Sequence, residues 1–236
     1  MLYAIIAAGE GSRLSKEGYM GLKPMVTING EMLIDRLIRI FIQNDAEAIS
    51  VIINENSPEL AAHLNNLQLS VPLNIITKTT ESSLHSFYEL LQRSGKTEEL
   101  CLTTTDTVFD REEFRLFINS FKENRTNDGL LAVTSFIDDE SPLYVSFNNK
   151  LKIEQITDNQ IDERPFVSGG IYCLRKKGLD IVARAVNSGV NRMRNFQRLM
   201  LENDVNLNAY PFTKIMDIDH ISDIDKAEYF LNEIEA

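Results

Sequence analysis

Five charged residues are the strongest candidates for chemistry in this sequence: two cations, Arg13 and Lys23, and three acids, Asp106, Asp217 and Asp219. Asp106 follows an apolar strand-like run, and the carboxyl end of such a strand is where open α/β sheets bind their ligands. Asp217 and Asp219 are two residues apart, so in a strand their carboxylates point to the same face. Such a pair is costly without a cation between the charges, and Mg²⁺ prefers these oxygen ligands. The pattern predicts a magnesium site.

Both cations belong to a glycine-rich segment that follows the first apolar run, residues 2–7. Gly9 and Gly11 allow backbone N–H groups to curl round an anion, and the guanidinium of Arg13 adds a fixed positive fork. Lys23 then stands before a proline, which stiffens the backbone. We predict that this segment binds a polyphosphate.

The turn differs from the two commoner phosphate-binding loops. A dinucleotide-binding turn has a third small residue where this chain has Leu14, and the Gly-Lys-Ser/Thr ending of a P-loop does not occur. The simplest alternative is a glycine turn that carries a surface arginine and lysine and binds nothing.

Residues 7–14 read Ala-Ala-Gly-Glu-Gly-Ser-Arg-Leu, and Lys23-Pro24 and the apolar pair Met25-Val26 follow. In order and spacing these pieces resemble the signature of the nucleotidyltransferases that join a nucleoside triphosphate (NTP) to a phosphorylated sugar or alcohol. The resemblance implies that an acceptor phosphate attacks the α-phosphorus and pyrophosphate leaves, with Arg13 and Lys23 as the catalytic cations. It assigns nucleotide binding to Ala7, Ala8, Gly9, Gly11 and Ser12.

The elements that must position these residues follow from the hydrophobic pattern. Over the first half of the chain, strand-like runs alternate with amphipathic stretches, which indicates a mostly parallel sheet with helices on both faces. Runs near 143–147 and 151–156 indicate a hairpin, so the sheet becomes mixed. We predict a three-layer α/β fold, Rossmann-like and similar to the GT-A fold. The 236 residues fit one domain, with a nucleotide-binding half at about 1–128 and an acceptor-binding half at about 129–236.

The resemblance also assigns the other nucleotide-side residues. It makes Asp106 the first metal ligand, with at least one of Asp217 and Asp219 completing the site. Their segment is similar to the family's Asp-Ile-Asp-x-Pro, although Ile221 stands where the proline is usual. A helix that begins near Ser82 follows a strand, so its start faces the same sheet edge as the glycine turn. In the family this segment reaches the base, so Ser82 and Ser83 are assigned to nucleotide binding, although helix capping would explain their hydroxyls equally well.

The acceptor side departs from the family pattern in two places. Ser168 stands where an asparagine is usual, just before Gly169 and Gly170, whose lack of side chains allows the acceptor to approach closely. Residues 157–159 read Thr-Asp-Asn where Glu-Lys-Pro is usual, which removes the acceptor-side lysine. Arg194 is the candidate replacement, and a solvated helix start is the alternative explanation for it.

Composition limits the partners and the location. The net charge of −11 argues against nucleic acid, whose binding needs a basic surface. The sequence has no long apolar stretch and no signal-peptide pattern, so we expect no membrane association and a cytoplasmic protein. Cys101 and Cys173 lie in apolar runs and are expected to be buried thiols. The expected partners are an NTP and a phosphorylated small molecule.

Two functions from other classes remain open. A glycosyltransferase that uses a nucleotide-sugar would share the fold, but would typically carry two acids separated by one residue where this chain has Asp106-Thr107-Val108. A catalytically silent nucleotide-binding regulator would be expected to lack Arg13, Lys23 or an acid. A sugar-1-phosphate is the favoured acceptor, with phosphocholine or a similar alcohol phosphate next. The base and the choice between a monomer and a homo-oligomer stay open.

Overall fold

The strand at the centre of the main sheet, β1 (Leu2–Ala7), is apolar on both faces, and each of its residues is buried. It pairs in parallel with β4 (Ala48–Ile53) on one side and with β6 (Glu99–Thr104) on the other. A strand covered on both faces needs a continuous apolar run, which explains its composition. These elements come from a computed structural model that describes residues 1–235.

The remaining strands of the main sheet are β5 (Leu73–Thr77), β8 (Gly129–Thr134), β9 (Tyr144–Phe147), β10 (Ile153–Thr157), β11 (Phe166–Arg175) and β12 (Leu207–Phe212). Strand β5 extends the parallel half beyond β4. On the other side β11 runs antiparallel to β6, β8 runs antiparallel to β11, and β12 is parallel to β8. The hairpin of β9 and β10 attaches to the start of β11. The sheet is therefore parallel in its first half and mixed in its second.

Two short antiparallel pairs lie outside this sheet. Strands β2 (Thr27–Ile28) and β3 (Glu31–Met32) form a small hairpin. Strands β7 (Thr107–Phe109) and β13 (Ile215–Asp217) pair although they are far apart in the chain. The second pair, which we call the β7–β13 ribbon, connects the two halves of the sequence.

Helices cover both faces of the main sheet. In the described residues they are α1 (Ser12–Lys16), α2 (Leu33–Gln43), α3 (Pro58–Asn66), α4 (Ser83–Arg93), α5 (Arg111–Glu123), α6 (Lys176–Asn187), α7 (Met193–Glu202) and α8 (Ile221–Glu235), with one 3₁₀ turn at Lys23–Met25. Tyr3 and Ile5 of β1 pack in one core with α2, α3 and α5, whereas Ala4 and Ile6 pack in the other with α4, α6 and α7. Because successive strand residues point to opposite faces, one strand supports both layers.

A third cluster of buried residues, which we call the small core, lies apart from the two large ones. It collects side chains from α1, from β2 and the residue before it, from the start of α2, from the β7–β13 ribbon and the residue after it, and from α8: Leu14, Val26, Ile28, Leu33, Val108, Met216, Ile218, Ala227, Phe230 and Leu231. Helix α8 thus packs on the segments that carry the predicted charged residues.

This architecture confirms the predicted three-layer α/β fold with its mixed, mostly parallel sheet. Cys101 and Cys173 face each other across β6 and β11 as buried free thiols, as predicted. Within residues 1–235, no helix has the length and apolar character needed to cross a membrane.

Candidate active site

The β7–β13 ribbon brings the acids from the two halves of the chain together. Its register places Asp217 opposite Thr107, the residue after Asp106. The backbone N–H of Ile218 donates to the backbone carbonyl of Asp106 at 3.0 Å, which extends the pairing by one step. Acids more than 100 positions apart in the sequence are thereby fixed by backbone hydrogen bonds.

Both predicted cations reach these acids. Lys23 Nζ lies 2.5 Å from Asp106 Oδ2 and 2.8 Å from Asp219 Oδ1, so one ammonium group bridges two carboxylates. Arg13 Nη1 donates to the other oxygen of Asp219. The structure therefore joins four of the five predicted charged residues in one network, with Asp217 beside it.

Gly11 permits this close approach of Lys23. Its φ of 60° lies in the left-handed region, and a Cβ atom built on it would lie 3.0 Å from Lys23 Cβ. A larger residue at this position would be strained and would displace the lysine. The glycine in the turn is needed for the position of the lysine as well as for the turn.

The network perturbs the pKa of two of its members in opposite directions. Burial favours the neutral amine of Lys23, but the charges of Asp106 and Asp219 and the hydrogen bonds to them outweigh this effect and raise its pKa. Burial likewise acts to raise the pKa of Asp106, while the charge and hydrogen bond of Lys23 hold it below its usual range, with the Thr104 hydroxyl acting in the same direction. Both groups are therefore charged at neutral pH.

Asp217 behaves differently from the other two acids. Enclosure by protein and the negative charges of Asp106 and Asp219 raise its pKa to about 8, against weaker opposing effects of Lys23 and the Thr107 hydroxyl. Its side chain nevertheless reaches solvent in the cleft. The nearby positive charge is too small to keep the pKa of Asp217 low, because Lys23 Nζ bonds to Asp106 and Asp219 instead.

One carboxylate oxygen in the network has no close partner. Asp106 Oδ1 is shielded from solvent and forms no hydrogen bond of standard geometry. Within residues 1–235, however, no three Asp, Glu, His or Cys side chains are grouped closely enough to hold a metal ion by themselves. The acids can thus supply part of a cation site but not a complete coordination shell.

Two cavities meet at the charged network. The first lies between the glycine turn and the start of α4 and is lined by Ile6, Ala8, Gly9, Glu10, Gly11, Ser12, Lys23, Asn54, Thr79, Thr80, Glu81, Ser82, Ser83, Ser86, Thr104, Thr105 and Asp106. We call it the turn cavity. The second, which we call the β9-side cavity, includes Arg13, Ser168, Gly169, Asp217 and Asp219 in its lining. A third depression, which contains Lys23 and Asp219, shares lining residues with both cavities.

Comparison with protein families decides how this arrangement is classified. A family model described as "MobA-like NTP transferase domain" matches residues 3–166. The chain belongs to this family. This confirms the predicted membership of the nucleotidyltransferases. The match includes Arg13, Lys23 and Asp106, whereas Asp217 and Asp219 lie beyond it. Comparison with curated proteins finds no match.

Solved structures similar to this family member share its fold over nearly the whole chain. An inositol-1-phosphate CTP transferase from T. maritima is 17% identical, with a TM-score of 0.80, and the match covers 99% of this chain and 96% of that one. A putative glucose-1-phosphate thymidylyltransferase from Bacillus anthracis, in complex with a sucrose, is 16% identical, with a TM-score of 0.83 and coverage of 98% and 95%. A CMP:2-keto-3-deoxy-manno-octonic acid synthetase complexed with CTP is 12% identical, with a TM-score of 0.75 and coverage of 98% of both chains. At these sequence identities, the structural similarity establishes the fold alone.

The remaining residues assigned to nucleotide binding occupy several positions in this NTP transferase domain. Ala8, Gly9, Ser12 and Ser83 line the turn cavity, as does Ser82. The Ser82 hydroxyl also accepts a hydrogen bond from the backbone N–H of His85, which makes Ser82 the N-cap of α4. Ala7 ends β1 and is 2% exposed, so its side chain belongs to the sheet core.

The three residues assigned to acceptor binding lie in different places in the structure. Gly169 lines the β9-side cavity. Gly170 instead lies over Thr104 and Thr107, where β11 bulges. Arg194 does not line this cavity: it donates to Asp158 Oδ1 at 2.7 Å and to a backbone carbonyl at 2.9 Å.

Several residues of the turn cavity gave no signal in the sequence. Asn54 is buried and fixes the cavity wall, because its side chain donates to the backbone carbonyl of Ala8 at 3.2 Å and accepts from Thr79 at 3.1 Å. Thr105 is 6% exposed, and its hydroxyl has no hydrogen-bond partner. Asn54 and Thr105 each directly follow a parallel strand, which is the one feature that could have indicated them.

Proposed function

We propose that this protein transfers a nucleotidyl group from an NTP to a phosphorylated sugar or alcohol and releases pyrophosphate. The observation that carries the proposal is the position of Lys23, which borders the turn cavity and also lies in the depression that leads to the second one. A cation there can reach a group transferred from one cavity to the other. Family membership supports the same reaction class.

In the proposed reaction, a phosphate oxygen of the acceptor forms a bond to the α-phosphorus, and the bond from that phosphorus to the bridging oxygen of pyrophosphate breaks. The departing electron pair stays on pyrophosphate, so no side-chain nucleophile is required. Catalysis then depends on position and charge neutralisation. Lys23 would bind the α-phosphoryl group, while the turn containing Gly9, Gly11 and Ser12 would bind the outer phosphates beside Arg13.

Under this proposal the two cations would change partners when the substrate binds. Lys23 and Arg13 form ion pairs with Asp106 and Asp219. An NTP that takes over the cations leaves these carboxylates without counter-charge, beside the carboxyl group of Asp217. A divalent cation bound with the NTP restores the balance, so we propose that NTP and Mg²⁺ bind together.

The acids fit Mg²⁺ in their donor chemistry. Asp106 Oδ1 is a shielded oxygen acceptor without a close partner, and Asp217 and Asp219 add hard oxygen atoms nearby. We propose that Asp106 and one or both of the other acids hold the ion, which when bound would neutralise phosphate charge. Phosphate oxygens and water would complete its shell, which agrees with the incomplete set of protein ligands.

The β9-side cavity would bind the acceptor. Its basic residues are Arg13 and His220, whereas Asp139 and Glu140 are among its acids. The phosphate of the acceptor would lie toward Arg13, because that side chain borders both the cavity and the charged network. The carboxylates of Asp139 and Glu140 can accept hydrogen bonds from hydroxyls and also attract an ammonium group. We propose a sugar-1-phosphate as the acceptor, with an amino-alcohol phosphate such as phosphocholine as the second candidate.

The test is pyrophosphate release from each NTP with Mg²⁺ and a panel of sugar-1-phosphates and alcohol phosphates. We expect one pair to support turnover and EDTA to abolish it. Lys23→Met should reduce turnover with that pair by about 10²–10³-fold, the loss typical of removing a group that stabilises transition-state charge. Lys122→Met, which removes an exposed lysine paired with Asp45, is the matched control and should keep full activity. Pyrophosphate from no pair would reject the proposal in favour of a nucleotide-binding regulator.

A further inference from the structure

The β9-side cavity is narrow for the acceptor that we propose to bind there. Its volume is about 70 Å³, whereas the turn cavity has a volume of about 560 Å³. Sites that bind small molecules usually have volumes of about 300–1,000 Å³. A phosphorylated sugar or alcohol can therefore enter the β9-side cavity only if one of its walls moves.

Two of the walls belong to paired strands. Residues 167–169 lie in β11, which pairs with β8, and residues 215–217 form β13 of the β7–β13 ribbon. A third wall is the connection between β8 and β9, residues 136–142, and each of its residues except Ser141 lines the cavity. We call this connection the gate segment. It is the wall that contains no helix or strand.

The gate segment is fixed at its ends and not between them. Thr134 is the last residue of β8, and the backbone carbonyl of Leu143 accepts a hydrogen bond from the N–H of Ser168 at 2.9 Å. In the part of the chain that the structure describes, no backbone–backbone hydrogen bond involves residues 136–142. Such a segment can move at a lower cost in free energy than a paired strand.

Side chains of α7 and α8 hold the gate segment in its present position. Lys226 Nζ donates to Asp138 Oδ2 at 3.0 Å, and Arg194 donates to the backbone carbonyl of Ser141 at 2.9 Å. The side chains of Lys226 and Asp138 are 47% and 44% exposed, and ion pairs with this exposure are weak. Lys226 Nζ also lies 3.0 Å from Asp223 Oδ1, so the ammonium group keeps a partner when Asp138 moves away.

We infer that the gate segment covers the β9-side cavity and moves away to admit the acceptor, with the Lys226–Asp138 ion pair as its latch. The inference rests on the proposed function, which places the acceptor in this cavity. Because the latch is weak, we expect the open form to be a minor state of the free protein, populated at about 0.1–10%. An acceptor that binds the open form alone shifts this equilibrium toward it.

A cysteine beneath the gate segment measures its opening without any substrate. Ser168→Cys places a thiol in the lining of the cavity, and the two native thiols, Cys101 and Cys173, are both fully buried. The reagent is N-ethylmaleimide, which is uncharged and is therefore not attracted or repelled by the charges of the site. We expect it to modify Ser168→Cys at least about 10-fold more slowly than Ser188→Cys, an exposed position at the end of α6.

Two latch variants then test the ion pair in the Ser168→Cys protein. Asp138→Asn and Lys226→Met should each raise the modification rate by about 2–5-fold, the effect of losing an exposed ion pair from the closed form. The two substitutions change the local charge in opposite directions, so a purely electrostatic effect on the thiol would raise one rate and lower the other. The double variant should be no faster than the faster single one, because both substitutions remove the same contact. Lys176→Met, which removes an exposed lysine paired with Asp180, is the matched control and should leave the rate unchanged.

The outcomes separate this inference from the proposed function. If a substrate pair releases pyrophosphate but both latch variants are modified at the rate of the Ser168→Cys parent, the gate is rejected and the function stands. Rates that change in opposite directions, or a parent thiol as reactive as that of Ser188→Cys, would also reject the gate. If both latch variants are modified faster but no pair releases pyrophosphate, the proposed function falls, and with it the acceptor as the reason for opening.

Discussion

Replacing Lys23 by methionine tests whether one ammonium group holds the acidic site together before any ligand binds. Its Nζ atom lies 2.5 Å from Asp106 Oδ2 and 2.8 Å from Asp219 Oδ1, and its side chain is 11% exposed. Methionine keeps an apolar stem of similar length and removes the charge. The carboxylates of Asp106 and Asp219, with the carboxyl group of Asp217 beside them, would then share the site with Arg13 alone.

The loss of stability in Lys23→Met can be estimated from the solvent exposure of Asp106 and Asp219. Removing one partner of a fully buried ion pair costs about 3–5 kcal/mol, and an exposed pair contributes about 0–1 kcal/mol. The side chains of Asp106 and Asp219 are 21% and 32% exposed, which places this network between those limits. We expect Lys23→Met to lower the free energy of unfolding by about 2 kcal/mol, or the Tm by about 4–8 °C for a chain of this length.

The assay is urea and thermal denaturation in EDTA, with two internal checks. Adding Asp106→Asn to Lys23→Met should recover about half of the loss, because it removes one of the unbalanced charges. Mg²⁺ should raise the Tm of Lys23→Met more than that of the wild type, since the ion can occupy the place of the lost charge. Lys122→Met removes an exposed pair and should change stability by less than about 0.5 kcal/mol.

Two results would refute this reasoning. Wild-type stability in Lys23→Met would mean that the ion pairs contribute nothing and that solvent screens the acids. A loss that Asp106→Asn fails to reduce would mean that the lysine stabilises the protein by packing alone.

Three further predictions follow from other contacts. Asp106→Asn should keep the fold, with a circular dichroism spectrum like that of the wild type, and lower the rate of pyrophosphate release by about 10–100-fold or more. Gly11→Ala should lower the free energy of unfolding by about 1–2 kcal/mol in urea denaturation and should also weaken NTP binding. Gly189 has a φ of 82° and no other atom near its Cβ position, so Gly189→Ala should lower stability without changing NTP binding. Hydrogen bonding to Arg198 lowers the pKa of Asp158 below its unfolded value of about 3.9. The ionised Asp158 carboxylate therefore stabilises the fold at pH values above the unfolded pKa, and this stabilisation is lost as the pH falls through the folded pKa. Asp158→Asn should therefore be less stable than the wild type at neutral pH and equal to it at about pH 2 in thermal unfolding.

The sequence was informative where one local rule decides the structure. A continuous apolar run followed by glycines predicts β1 and its turn, because a buried parallel strand leaves few alternatives. The position of Asp106 after β6 predicts its place at the ligand edge of the sheet. These local features also carry the family resemblance that the comparison confirmed.

The same local rules could not predict which distant segments of the chain pair with each other. The strands of the β7–β13 ribbon have three residues each, too few for a periodic pattern, and they pair across more than 100 positions. The target of Arg194 is Asp158, which lies 36 residues earlier and carries no mark of an ion pair in the sequence. The different roles of Gly169 and Gly170 depend on a bulge that only the register with β8 reveals.

The small core has a consequence for how the protein tolerates change. Leu14 adjoins Arg13, Val108 is two residues from Asp106, and Met216 and Ile218 flank Asp217 in the chain, so the anchors of the reactive groups share one apolar cluster. Three members of that cluster come from α8, a helix that contributes no charged group to the network. A destabilising mutation in α8 is therefore expected to displace the segments that carry the reactive groups while the two large cores remain folded. The protein could then lose activity through a mutation in a helix that supplies none of the charged residues of the network.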